Sequence, residues 1–142
     1  MELTSILPIL QKIPVFADLN EQEHNEIVKN IVMNYFPVGH VFFNEGDNGD
    51  AGMYIIKRGM VKISRKGPFN VEKEIAILSD NDFFGEMALV LNEPRNATAT
   101  AIGECEVFQI SKADFEKLMQ TSPVLANKIS TEFIAREKKN KL

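Results

Sequence analysis

Between residues 33 and 111 the sequence is a series of short β-rich runs separated by turn residues, with no helix-length periodic segment among them. Several short strands punctuated by glycine and asparagine are typical of an antiparallel sandwich or roll. A turn-forming cluster at 45–50 separates the first two runs. The predicted strands cover residues 38–43, 53–56, 61–63, 74–78, 98–102 and 106–110.

Helical signals stand on both sides of this β-rich region. Asn20 and Glu23 have the spacing of a capping box, and the apolar residues 27, 28, 31 and 32 recur with helical period. Ser111 is placed to cap a helix that leads into the C-terminal segment. The predicted fold is therefore α+β and mainly β: an antiparallel, jelly-roll-like β-roll at 33–111, with helices at 5–32 and 112–140, in one domain over 1–142.

Composition excludes several classes of protein. The 142 residues are 44% hydrophobic and 25% charged, as in an ordinary globular domain, and the net charge of −4 gives no reason to expect binding to nucleic acid. The single Cys105 cannot form an internal disulfide, and no apolar run approaches the ~18–20 residues that span a bilayer. We expect a cytoplasmic protein with no membrane contact.

The sequence offers little to support catalysis. Its two histidines, His24 and His40, form no cluster of metal ligands, and the acidic turn at 45–50 fails the EF-hand spacing. It contains no nucleophile elbow, Walker motif or dinucleotide fingerprint. We therefore expect no enzyme activity and no metal.

Residues 82–99 depart from the strand pattern. Gly85 is placed to open one helical turn at 86–91, and the N–H groups and dipole of a first turn favour an anion. Gly85 and Ala88 keep that surface small, while Arg95 follows after a loop long enough to return and meet a phosphate oxygen. Glu86 would repel an anion, so a carboxylate at this position is explained if the ligand also presents hydroxyl donors, as a ribose does.

This segment resembles the phosphate-binding cassette of the cyclic nucleotide-binding domain family. The family pattern is F-G-E-[LM]-A-L, then P-R-x-A-T after a few residues, and it matches residues 84–89 and 94–98 here. Residues 45–47, 54–56 and Gly59 match the family upstream, so the resemblance covers nearly the whole chain. It implies the β-roll fold, a cassette at 84–99 and a cyclic nucleotide as ligand.

The resemblance also implies roles for individual residues. Glu86 would accept a hydrogen bond from the ribose 2′-hydroxyl, and Arg95 would pair with an exocyclic phosphate oxygen. Backbone N–H groups would complete the site. The implied ligand-binding set is Gly85, Glu86, Met87, Ala88, Arg95, Asn96 and Ala97.

Two residues depart from the family pattern. Asn96 follows the arginine, where members that prefer cGMP often carry Thr and members that prefer cAMP more often carry Ala. Asn both donates and accepts, so we expect cAMP to be favoured while cGMP stays open. Asn81 replaces a usual glycine in a turn, which should cost little because Asn tolerates a left-handed backbone.

Each assignment has an ordinary structural alternative. Glu86 and Arg95 could form a surface ion pair with each other, and Met87 could serve only to pack the short helix. Val61 and Ile63 could contact the base or simply fill the roll. Phe133 and Arg136 on the last helix could act as a lid over the purine. Alternatively, Phe133 packs on the roll and Arg136 faces solvent.

The expected function is a cyclic nucleotide sensor that regulates a protein effector by moving its C-terminal helices. Neither a helix-turn-helix domain nor a membrane span accompanies the module in this sequence. It would therefore act alone or as the sensing part of a larger protein. The alternatives are a domain of the same fold that binds proteins and no nucleotide, and an enzyme such as a phosphodiesterase.

Overall fold

The computed structural model describes residues 20–29, 31–85 and 93–121, together with positions 123, 127, 130, 131, 134 and 135. Within these residues, two four-stranded antiparallel sheets form a β-roll between helices, as predicted. Helix α1 spans Glu21–Lys29, and helix α2 spans Lys112–Thr121. The described positions beyond α2 are helical as well. No helix in this part of the chain is long and apolar enough to cross a bilayer.

The strands are Val32–Phe36 (β1), Val41–Phe43 (β2), Met53–Arg58 (β3), Val61–Lys66 (β4), Glu72–Leu78 (β5), Phe83–Phe84 (β6), Thr98–Ala101 (β7) and Cys105–Ile110 (β8). One sheet has the order β1-β8-β3-β6 and the other the order β2-β7-β4-β5. Successive strands therefore lie in different sheets, except β4 and β5, which are neighbours in the second sheet. A short 3₁₀ turn, Pro68–Asn70, joins β4 to β5.

The main apolar core lies between the two sheets. It combines Tyr54, Ile56 and Val107 of the first sheet with Val61 and Ala99 of the second, among other buried residues. Since side chains alternate across a strand, neighbours such as Met53 and Ile55 on β3 face the other side of the first sheet, yet they too are fully buried. Val28 of α1 and Phe115 of α2 are buried as well.

The helix starts follow the predicted caps. The backbone N–H of Glu23 donates to Asn20 Oδ1 at 2.9 Å, and the backbone N–H of Asn20 donates to Glu23 Oε1 at 3.0 Å. This is the reciprocal capping box expected from the spacing. At α2 the backbone N–H of Asp114 donates to Ser111 Oγ at 3.2 Å.

Several predicted boundaries are wrong. The first strand was expected to begin at residue 38, but residues 38 and 39 form a turn and β2 begins at Val41. The helix was expected to run to residue 32, but α1 ends at Lys29, and Val32 already belongs to β1, where it pairs with Gln109 of β8. Ile31 is buried outside any helix. β-Branched Val32 suits a strand, and the ladder with β8 outweighs the apparent helical period. The predicted helix around residue 5 lies outside the described residues.

Candidate functional site

The site is built where three segments of the roll meet. The loop after β2 approaches residue 95, because the N–H of Gly46 donates to Arg95 O at 2.8 Å and the N–H of Arg95 donates to Asp47 O at 2.7 Å. β6 ends at Phe84 and presents Gly85, while the chain that leads into β7 carries Arg95. Glu86, Met87 and Ala88 lie outside the described residues, so their predicted roles stay predictions.

Arg95 is the central residue of this site. Its side chain is buried, with 3% of the residue exposed. Nη1 donates to Gly85 O and Nη2 donates to Gly52 O, each at 2.8 Å. The guanidinium carbon also lies 4.1 Å from the centroid of the Phe43 ring, a cation–π distance. We call these three groups, the Phe43 ring and the carbonyls of Gly52 and Gly85, the arginine cradle.

Both cradle carbonyls belong to glycines that no other residue could replace without strain. Gly85 has φ +83°, and an added Cβ would lie 2.8 Å from Arg95 Nη1 and 3.3 Å from Phe43 Cε2. Gly52 has φ +95°, and its Cβ would lie 1.7 Å from Ile110 O. Both glycines thus provide a left-handed backbone, while Gly85 leaves space for the guanidinium and Gly52 leaves space for the backbone at Ile110.

The predicted residues on the return strand are placed beside this cradle. Asn96 is exposed, and its carbonyl accepts a hydrogen bond from Arg65 Nε at 2.9 Å. Ala97 is buried. The next residue, Thr98, accepts a hydrogen bond at Oγ1 from the N–H of Glu45 at 2.9 Å. The segment that carries Arg95 is therefore bonded both to the loop after β2 and to strand β4.

Of the residues predicted to contact the base or to form a lid, the structure describes two. Val61 is fully buried in the core between the sheets, and Ile63 is partly buried against the same core. Core packing is thus the role that the structure gives to both, and contact with a base stays a prediction. Phe133 and Arg136 lie outside the described residues.

The Tyr54 phenol is influenced by the charge of Arg95. Burial raises the pKa of this phenol, and the positive charge of Arg95 acts in the opposite direction. Removing a cation from water costs several kcal/mol unless hydrogen bonds and a counter-charge compensate. An anion that reaches this guanidinium meets a weakly hydrated, oriented charge, for which a bidentate phosphate contact is well suited.

Sequence reasoning missed several residues that build the site. Phe43 was assigned only to a strand, and Gly52 was given no role. Gly52 stands immediately before the buried strand β3, which is a signal for a close backbone approach. Nothing in the sequence alone indicates that the Phe43 ring lies against Arg95, 52 positions away.

Within the described residues, no group of three or more His, Cys, Asp or Glu side chains is arranged to hold a metal ion. What the site does offer is a buried guanidinium held by two backbone carbonyls and an aromatic ring, a charge that an anion could pair with. This chemistry agrees with what the comparison with known proteins finds.

The model of the cyclic nucleotide-binding domain matches residues 33–122. The chain belongs to this family. A cAMP-dependent protein kinase regulatory subunit from Yarrowia lipolytica is 33% identical over 116 residues, which cover 82% of this chain and 29% of the relative. A cGMP-dependent protein kinase from Caenorhabditis briggsae is 34% identical over 118 residues, covering 82% of this chain and 16% of the kinase.

A solved structure gives the same fold. The regulatory domain of Toxoplasma gondii PKA, crystallised with cAMP, superposes with a TM-score of 0.77 at 25% identity, over 82% of this chain and 44% of that one. The family resemblance and the β-roll predicted from the sequence are confirmed. The chain spans less than a third of the length of the two kinase relatives, at 29% and 16%, so their partners and activities do not carry over directly.

Proposed function

We propose that this chain binds a cyclic nucleotide at Arg95 and acts as a regulatory sensor module. The observation that carries the proposal is the burial of Arg95 on the arginine cradle, at the end of a segment that matches the family cassette. A buried guanidinium is costly to maintain, and an anionic ligand that pairs with it repays part of that cost. Family membership supplies the ligand class.

We propose the following contacts with the ligand. Arg95 pairs with an exocyclic oxygen of the cyclic phosphate, and Glu86 accepts a hydrogen bond from the ribose 2′-hydroxyl. Backbone N–H groups of Gly85, Ala88 and Ala97 complete the contacts with the sugar phosphate. Met87 packs the short cassette helix.

The proposed preference is for cAMP over cGMP. It rests on Asn96, which stands where relatives that favour cGMP often carry Thr. Asn96 is exposed, and its backbone carbonyl accepts a hydrogen bond from Arg65 Nε at 2.9 Å. In this proposal its side-chain amide meets the base. Relatives named for each nucleotide are similar to this chain, and the comparison therefore leaves the choice to titration.

The proposed output is a movement of the C-terminal helices. Gly52, whose carbonyl holds Arg95, packs so tightly against Ile110 and Ser111 that an added Cβ would overlap them. The N–H of Lys112 donates to Asp50 O at 3.3 Å, so the start of α2 is bonded to the same loop. Ligand contact at Arg95 would therefore bias the position of α2 by favouring one arrangement of this loop. Lid contacts by Phe133 and Arg136, and a protein effector that reads the movement, belong to the same proposal.

Isothermal titration with cAMP and then with cGMP tests the function. We expect binding near the micromolar range, which corresponds to about −8 kcal/mol, and at least a tenfold loss in Arg95→Ala. Arg58→Ala is the matched control, because the Arg58 side chain is 74% exposed and pairs only at the surface with Glu106 at 3.6 Å. A folded wild-type chain that binds neither nucleotide at millimolar concentration would contradict the proposal and favour a protein-binding module.

Arg95→Ala leaves the carbonyls of Gly52 and Gly85 without the guanidinium, so loss of folding must be separated from loss of contact. Arg95→Lys keeps the charge and most of the length but cannot bond both carbonyls and a phosphate in one plane. If Arg95→Lys has a native circular dichroism spectrum and a weakened affinity, the loss belongs to the ligand contact. An affinity equal to wild type in that variant would remove Arg95 from the phosphate site.

A further inference from the structure

We propose that Phe43 is a positioning residue, whose ring holds the Arg95 guanidinium in the orientation that receives the phosphate. This inference rests on the proposed function and assigns to the chain a specific means of preparing that site. Phe43 ends β2 and is nearly buried, and the Arg95 Cζ lies 4.1 Å from the centre of its ring.

The arrangement of the cradle makes the ring the element that orients the arginine. The carbonyls of Gly52 and Gly85 bond two nitrogens at one edge of the guanidinium plane. Two such bonds define the edge but permit rotation about the line that joins the nitrogens. A ring at cation–π distance opposes this rotation, because the attraction depends on the cation staying over the aromatic face.

The ring itself is held in place by its neighbours. Its centroid lies 6.2 Å from that of Tyr54 and 6.0 Å from that of Phe84. Gly85 follows Phe84 directly, and a Cβ at position 85 would lie 3.3 Å from the Phe43 ring. One aromatic group therefore contacts both the arginine and the strand end from which the cassette begins.

Holding Arg95 in the binding orientation before the ligand arrives raises the affinity for the ligand. An arginine side chain loses considerable rotamer entropy when it is fixed, and a site that is already oriented does not incur that loss on binding. If weakening the stack leaves about one free molecule in ten with Arg95 in the competent orientation, Kd rises about tenfold.

The test replaces Phe43 with phenylalanines carrying one, two, three and five ring fluorines, introduced by nonsense suppression. Fluorine withdraws charge from the ring face, and so weakens the cation–π attraction, while it preserves an apolar ring of similar shape. Titration with cAMP should show Kd rising stepwise with fluorine number, to about tenfold for the pentafluoro ring. Phe43→Leu should resemble the pentafluoro variant.

Phe42 provides the matched control. Its ring packs edge-on against Phe84 at 5.1 Å in the same aromatic group, so fluorination there tests the general effect of altered rings. We expect no stepwise change in Kd for the Phe42 series. Equal Kd values across the Phe43 series, or the same trend at Phe42, would overturn the inference while leaving the proposed function intact. Failure of the wild-type chain to bind cAMP or cGMP would instead reject both.

Discussion

Replacing Gly85 with alanine should be one of the most damaging single-methyl changes in this chain. Gly85 has φ +83°, and a left-handed backbone costs a residue with a Cβ about 1–2 kcal/mol. The new methyl would also lie 2.8 Å from Arg95 Nη1 and 3.2 Å from Gly52 O. Displacing Nη1 breaks its bond to Gly85 O, and a hydrogen bond to a charged group is worth about 1.5–3 kcal/mol. We therefore expect Gly85→Ala to lower the free energy of unfolding by about 2.5–5 kcal/mol.

Gly39→Ala separates the two causes. Gly39 has a similar φ of +91°, but an added Cβ there has no atom within 4 Å, so this variant measures the backbone cost alone. Urea unfolding followed by circular dichroism gives both free energies, provided that the slopes agree. Gly85→Ala should be more destabilising than Gly39→Ala by the value of the arginine contact. Equal losses in the two variants would refute the claim that Gly85 makes room for Arg95.

Three further predictions concern the surface and the core. Asn20→Ala should lower the free energy of unfolding by about 1 kcal/mol in urea titration, since it removes the capping box with Glu23, whereas Asn20→Asp should change little. The Lys62 ammonium, 3.0 Å away, and then the Ser64 hydroxyl hold the pKa of Glu72 below its ordinary 4.5. The Lys62–Glu72 pair therefore stabilises the fold above that pH and does so less as pH falls, and an NMR titration should find the Glu72 pKa closer to 4.5 in Lys62→Met. Cys105 is buried, and burial raises the pKa of its thiol. A disulfide reagent should therefore modify Cys105 only as the protein unfolds in denaturant, and rapid labelling of the native protein would contradict this burial.

Local sequence rules predicted the parts of the fold that local physics decides. The capping box at Asn20 and the Ser111 cap formed as expected, because each needs only a polar side chain three residues from an N–H group. Asn81 does adopt the left-handed backbone, with φ +74°, that was expected where the family carries glycine. The boundary at residue 32 was wrong because pairing with β8, a partner far along the chain, decided it.

The residues of the candidate site also divide into those that local sequence predicts and those whose role depends on the fold. Gly85 and Arg95 could be selected from spacing, since the cassette motif is contiguous in sequence. Phe43 and Gly52 could not, because their part in the site depends on a fold that brings distant segments within 4.1 Å and 2.8 Å of the arginine. Val61 and Ile63 lie in or against the core between the sheets, and contact of either with a base stays a prediction.

The cradle also explains why stability and ligand binding should be linked in this domain. Arg95 is held by the end of β2, the loop before β3 and the end of β6, so its burial depends on both sheets being assembled. A change at any cradle position disturbs the packing of the roll and the orientation of the same charge. Loss of binding in such a variant is therefore no evidence of lost contact by itself. Only changes that keep most of the volume and alter hydrogen-bonding geometry or ring electrostatics, such as Arg95→Lys or fluorinated Phe43, can separate the two roles.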